Sequence, residues 1–162
     1  MKRRKFFAAA GTTVLATAGV YYMLSDKSNL SRADMKTAPA QKTFLQPEER
    51  EILYLASLAP SGHNAQPWFV KHIAPYHWIV GNDRSKWLSG VDPTQRETIL
   101  SIGAFIQNLE YAANYLGYVC QFTLLAGNNQ DDEVIEVKLS KASNVSQYDV
   151  QKIKRRRTLR AN

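Results

Sequence analysis

From residue 93 to residue 116 the chain repeats apolar side chains at the spacing of a helix. Ile99, Ile102, Ile106, Leu109, Ala113 and Leu116 fall on one broad face, with Phe105 and Ala112 beside it. A face of that width has to be buried. Asp92-Pro93-Thr94-Gln95 predicts the start: Asp92 caps, Pro93 takes the first turn, and Gln95 sits three residues on as in a capping box. Gly117 ends the helix. Most of its side chains read as core, so its task toward any ligand is support. Ser101 and Gly103 are the two positions expected near one, Gly103 because it permits close approach of a helix or a ligand.

Strand-like runs flank this helix in pairs. Residues 68–73 and 76–80 are β-rich and joined near Ala74-Pro75, which predicts a hairpin. Residues 119–126 and 133–139 form a second pair around the turn at 127–132. The run at 119–126 is nearly all apolar, as in a central strand. The run at 133–139 alternates, with Ile135, Val137 and Leu139 on one face and Val134, Glu136 and Lys138 on the other, as in a half-exposed strand. Another helix opens at Pro47, with Glu48, Glu49 and Glu51 near its start; its apolar face runs from Ile52 to Ala59, and Pro60 ends it. Residues 84–88 read as a short crossover. The fold class is α+β, mainly an antiparallel sheet with one long central helix.

The charge is divided. The formal net charge is +7, yet Lys2, Arg3, Arg4 and Lys5 open the chain, and Lys152, Lys154, Arg155, Arg156, Arg157 and Arg160 lie near its other end. Between them stand 11 basic and 14 acidic residues. A mildly acidic body without a basic, aromatic-studded stripe argues against nucleic-acid binding. The single cysteine, Cys120, excludes an internal disulfide framework; in its apolar run it reads as a buried thiol rather than a nucleophile.

The first 24 residues read as a signal or membrane-anchor segment. A basic start precedes an Ala-rich apolar stretch from Phe6 to Leu24, long enough for a signal core or one membrane span. Arg3-Arg4 before Phe6-Phe7 resembles a twin-arginine export signal, which implies a periplasmic or envelope location; an inner-membrane anchor is the other reading. Residues 25–46 read as a linker, and 47–162 as the folded domain.

Between the first helix and the first strand lies Ala59-Pro60-Ser61-Gly62-His63-Asn64-Ala65-Gln66-Pro67-Trp68. It gathers Ser, His, Asn and Gln within six residues between two prolines, the composition of a ligand-holding loop. Gly62 supplies the freedom a tight turn needs, and Trp68 begins a strand and packs inward. His63 has no acid or cysteine nearby in sequence to make a triad, so a local hydrogen-bonding role stands beside a ligand contact. No Cys/His/Asp spacing suggests a metal.

The loop resembles the flavin-site loop of the nitroreductase-like superfamily, above all the branch in which two nitroreductase halves are fused in one chain. Arg96-Glu97 and residues 101–110 resemble that branch too, as does the basic end. The resemblance implies FMN as cofactor, with Ser61, His63, Asn64 and Gln66 meeting the ring or ribityl chain as neutral donors. It also implies that Arg156, Arg157, Thr158 and Arg160 grip the phosphate, for which guanidinium groups are suited. Without the resemblance, the same basic run reads as a tail for RNA or anionic lipid. On this resemblance the chain is the first half of a nitroreductase-like domain, truncated where the second half starts, and its site awaits a second half or second protomer. The implied activity is NAD(P)H-dependent reduction of nitro- or quinone-type acceptors. The alternatives are a flavin-binding or storage protein without turnover, and a membrane-tethered structural or interaction fragment.

Overall fold

The computed structural model describes residues 45–145 and 148–157 of the 162-residue chain. Helix α1 spans Pro47–Ala56. Its entry is fixed by Glu49, whose fully buried carboxylate accepts from the Gln46 backbone N–H at 2.7 Å and from that of Tyr76 at 2.7 Å. One side chain thus closes a helix start and pins the turn of a hairpin. The helix stops four residues before Pro60. Ser57 forms the cap, and its hydroxyl donates to the Tyr54 carbonyl at 2.7 Å.

Four strands follow in one antiparallel sheet: β1 Trp68–Ala74, β2 His77–Asn82, β3 Tyr118–Leu124 and β4 Glu133–Lys141. Their spatial order is β1-β2-β4-β3. Both expected hairpins form, but the expected ranks of the second pair are exchanged. The apolar β3 is an edge strand, and the alternating β4 is central. The register explains it. Phe122, Val137 and Trp78 lie side by side on the face that carries the core, whereas Glu136 and Lys138 belong to β4's other positions. There Glu136 pairs with His77 at 2.7 Å and with Lys138 at 3.0 Å, so a central strand keeps its polar residues. On β3, Val119 and Leu124 remain exposed.

Helix α2, Arg96–Tyr115, crosses the core face of the sheet and packs against α1 as well. Ile102, Phe105, Leu109, Ala112 and Ala113 are fully buried, and Phe105 meets Trp68 with ring centroids 5.1 Å apart. A buried side chain of the size of Phe105 or Leu109 contributes about 1.5–3 kcal/mol. The helix starts later than Asp92 suggested. Residues 92–95 make a turn in which Gln95 takes a left-handed φ of 58°. Asp92 still serves the helix from there: its carboxylate accepts from the Arg96 N–H at 2.8 Å and the Thr98 N–H at 2.9 Å. Burial opposes ionisation of Asp92, but backbone donors from Thr98, Glu97 and Arg96 outweigh it and hold the carboxyl below its usual range. Gly117, at φ 80°, follows the C-terminus as expected.

The last described element is α3, Gln151–Arg155. Val150 and Ile153 anchor it in the core, Lys154 pairs with Glu51 of α1 at 3.5 Å, and Tyr148 stacks on Tyr111 of α2 at 3.8 Å. The architecture is therefore α+β, a four-stranded antiparallel sheet with a long central helix.

The expectations of a membrane anchor, a twin-arginine signal and a periplasmic or envelope location are corrected. Among the described residues, no helix is long and apolar enough to cross a membrane. Helix α2 has 20 residues but carries Arg96, Glu97 and Glu110. The stretch 6–24 and the linker up to residue 44 lie outside the described residues. No membrane partner is assigned.

Candidate functional site

The loop after α1 is strained in an orderly way. Gly62–Asn64 form a single 3-10 turn, and three non-glycine residues take left-handed backbone angles: His63 at φ 50°, Asn64 at 57° and Gln66 at 52°. Each such residue costs on the order of 1–3 kcal/mol, Asn least because its side chain tolerates the region. Loop hydrogen bonds offset part of that cost. The Asn64 N–H donates to the Ser61 carbonyl at 3.1 Å, the Ala65 N–H to that of Gly62 at 2.9 Å, and the Gln66 N–H to the Ser61 hydroxyl at 3.0 Å. The backbone donors curl inward around Ser61. The side chains of His63 and Asn64 are exposed, and that of Gln66 is half-buried.

Gly62 has a different task from the one expected. The left-handed positions belong to its neighbours. A Cβ at Gly62 would lie 2.7 Å from a carboxylate oxygen of Glu97, so the missing side chain makes room for α2. The Gly62 N–H donates to the Ser101 hydroxyl at 3.2 Å, and that hydroxyl donates to the Glu97 carbonyl at 2.7 Å. At its far end the loop is held by Pro67, whose carbonyl accepts from the Asp83 N–H at 3.0 Å. The cavity enclosed between loop and helix, bordered by Gly62, Pro67, Asp92 and Ser101, measures about 10 Å³. That admits about one water at most. His63 and Asn64 stand on the exposed side of the loop, away from this cavity.

Of the two helix positions expected near a ligand, Ser101 is buried beneath the loop and supports it. Gly103 does not join it. It is exposed, and among the described residues no other element comes within 4 Å of where its Cβ would stand.

The basic end comes to the head of the same loop. Arg156 Nε donates to the Leu58 carbonyl at 3.3 Å, joining residues 98 apart in sequence. Ser61 follows Leu58 by three residues. Arg157 is exposed. Thr158 and Arg160 lie outside the described residues. Glu97, singled out with Arg96 only for its resemblance, was given no place beside the loop, although it lies one turn before Ser101 on the helix; the Tyr111–Tyr148 pair had no signal in the sequence.

Among the described residues, no group of three or more His, Cys, Asp or Glu side chains converges to hold a metal. Burial, assisted by the negative charge of Glu110, pushes the Cys120 thiol up to about 12, which removes it as a nucleophile at neutral pH.

No protein-family model matches the chain. It is 36% identical to the "Probable NAD(P)H nitroreductase PigM" of a Serratia strain over 70 residues, 43% of this chain and 20% of that protein. It is 30% identical to the "Uncharacterized protein Rv3127" of Mycobacterium tuberculosis over 100 residues, 60% of this chain and 29% of that protein. The match thus spans less than a third of the length of these curated relatives. Among solved structures, a nitroreductase-like protein from Streptococcus mutans aligns with a TM-score of 0.49 at 16% identity, over 72% of this chain and 89% of that one. The chain is similar to nitroreductase-like proteins at low to moderate identity.

Proposed function

We propose that this chain is a nitroreductase-like FMN-binding domain of the fused-half kind, contributing one part of a site that a second half or a second protomer completes. The observation that carries this reading is the hydrogen bond from Arg156 to Leu58, which joins the basic end to the head of the loop. Two regions proposed to hold opposite ends of one molecule meet at a shared anchor.

The residues present suit FMN in their donor chemistry. Asn64 and Gln66 carry neutral amide donors for carbonyl and hydroxyl oxygens. The Ser61 oxygen already accepts from Gln66, which leaves its hydrogen for donation outward. Arg156 and Arg157 offer guanidinium groups to a phosphate, and Thr158 and Arg160 extend that set in sequence. Among the described residues, the cavity bordering this loop is far smaller than a flavin ring, which favours a composite site in which other polypeptide covers the ring.

When bound, FMN supplies hydride acceptance from NAD(P)H and delivery to an electron-poor acceptor of the nitro or quinone class. The chain's own part is to bind and orient. His63 and Asn64 present polar groups at fixed angles because the left-handed backbone leaves them few others. No side-chain nucleophile is required.

The test is a titration of the purified chain with FMN and with riboflavin, followed by flavin fluorescence and absorbance. The expected result is FMN binding tighter than riboflavin binding, the difference being the phosphate grip. Equal affinity for the two removes the arginines from the reading, and no binding of either removes the reading. Oxidation of NAD(P)H by the loaded protein separates turnover from storage.

A further inference from the structure

We infer that Ser101 is the positioning residue of the proposed flavin loop, acting through the Gly62 backbone rather than by touching the ligand. This rests on the FMN reading above. Ser61–Gln66 holds three left-handed non-glycine residues, and its hydrogen bonds at Asn64, Ala65 and Gln66 are all internal. Internal bonds fix the shape of the loop but not its place. Among the described residues, the hydrogen bond that ties this segment to the long helix is the one from the Gly62 N–H to the Ser101 hydroxyl.

Ser101 is suited to hold rather than to bind. It is buried under the loop, and both its capacities are used: it accepts from Gly62 and donates its hydrogen to the Glu97 carbonyl. That second bond fixes the hydroxyl rotor, so its lone pair is already aimed at the Gly62 N–H. The missing side chain at Gly62 completes the fit, because a Cβ there would come within 2.7 Å of the Glu97 carboxylate. Loop height above α2 is thus set by one hydroxyl and one glycine. His63 and Asn64, the next residues along, inherit that height.

The variant Ser101→Ala suits the test because alanine favours the helix and leaves almost no void. Ser101→Thr restores a hydroxyl that can still bond back to the Glu97 carbonyl. Two readouts are taken on the full chain. Hydrogen exchange without flavin is expected to rise across residues 61–66 in S101A, with α1, α2 and the sheet unchanged. FMN affinity is expected to fall about fivefold to tenfold in S101A, the worth of one hydrogen bond, and to return to within about twofold in S101T. Riboflavin affinity should fall by the same factor, since the loop serves the ring rather than the phosphate. Unchanged loop exchange in S101A overturns the proposal, as does faster exchange with unaltered FMN affinity. Absence of FMN binding by the wild-type chain overturns the FMN reading, whereas unchanged loop exchange in S101A with FMN still bound overturns this proposal alone, so the two failures are distinguishable.

Discussion

Gly81→Ala tests how the sheet supports the loop. Gly81 sits in the central strand β2, opposite Phe69 of β1, at an irregularity in the β2–β4 register. A Cβ there would lie 2.1 Å from Phe69 Cζ and 2.5 Å from the Asp132 carbonyl oxygen. The ring can rotate away, but the carbonyl is backbone and accepts from the Asn82 N–H at 2.7 Å. Overpacking of this kind costs about 1–3 kcal/mol. Weakening the Asn82 bond adds about 1 kcal/mol. The expected loss is therefore about 2–4 kcal/mol, read as a lower urea midpoint at constant slope. A change below about 0.5 kcal/mol, the range of an ordinary surface substitution, would refute the reasoning. Adding Phe69→Ala should recover only the ring's share, because the Asp132 carbonyl stays in place. Asn82 also receives the Trp87 indole N–H at 2.7 Å and donates to the Asn129 carbonyl at 3.1 Å, so damage here spreads to the crossover that holds Pro67.

Gln66→Gly relieves a left-handed glutamine and should raise stability by up to ~1 kcal/mol while weakening FMN binding; paired urea and flavin titrations check both halves. Asp92→Ala removes the side-chain acceptor of two backbone N–H groups at the start of α2 and should cost about 1–2 kcal/mol. Because folding lowers the Asp92 pKa, its contribution is present in full above the unfolded value of 3.8 and is lost as pH falls through the folded value; an acid titration of stability should be steeper for wild type than for D92A. Cys120, with its thiol at about 12, should react with a disulfide reagent at pH 8 on the order of tens of times more slowly folded than unfolded, the loss of thiolate being partly offset by the greater nucleophilicity of the more basic sulfur. Arg156→Ala should weaken FMN binding about tenfold, the lower range for a charge-assisted hydrogen bond, and leave riboflavin binding unchanged.

The elements were legible where local pattern decides them. The stripe from Ile102 to Ala113 announces α2, Pro47 with its acids announces α1, and both hairpins show in the alternation. What failed depends on partners distant in sequence. An apolar run does not distinguish an edge strand from a central one, and β3 and β4 exchange ranks because His77 and Lys138 stand ready for Glu136. Helix ends were set by hydrogen bonds more than by proline: α1 stops at Ser57, and α2 waits beyond Asp92. In the loop, the conformational burden fell on His63, Asn64 and Gln66 instead of Gly62. Ser101 was read as support, and it lies under the loop; Glu97 beside it was readable only through its one-turn spacing to Ser101.

The clasp between Arg156 and Leu58 encloses 98 positions of sequence. Bringing such distant ends together is entropically expensive until the intervening chain has collapsed. The clasp therefore belongs to the late stage of folding, after the hairpins and the long helix. A chain that has its sheet and helices but has not yet docked Val150 and Ile153 carries the loop without its basic neighbour. On the proposed FMN reading, affinity for the phosphate end would then appear last in folding.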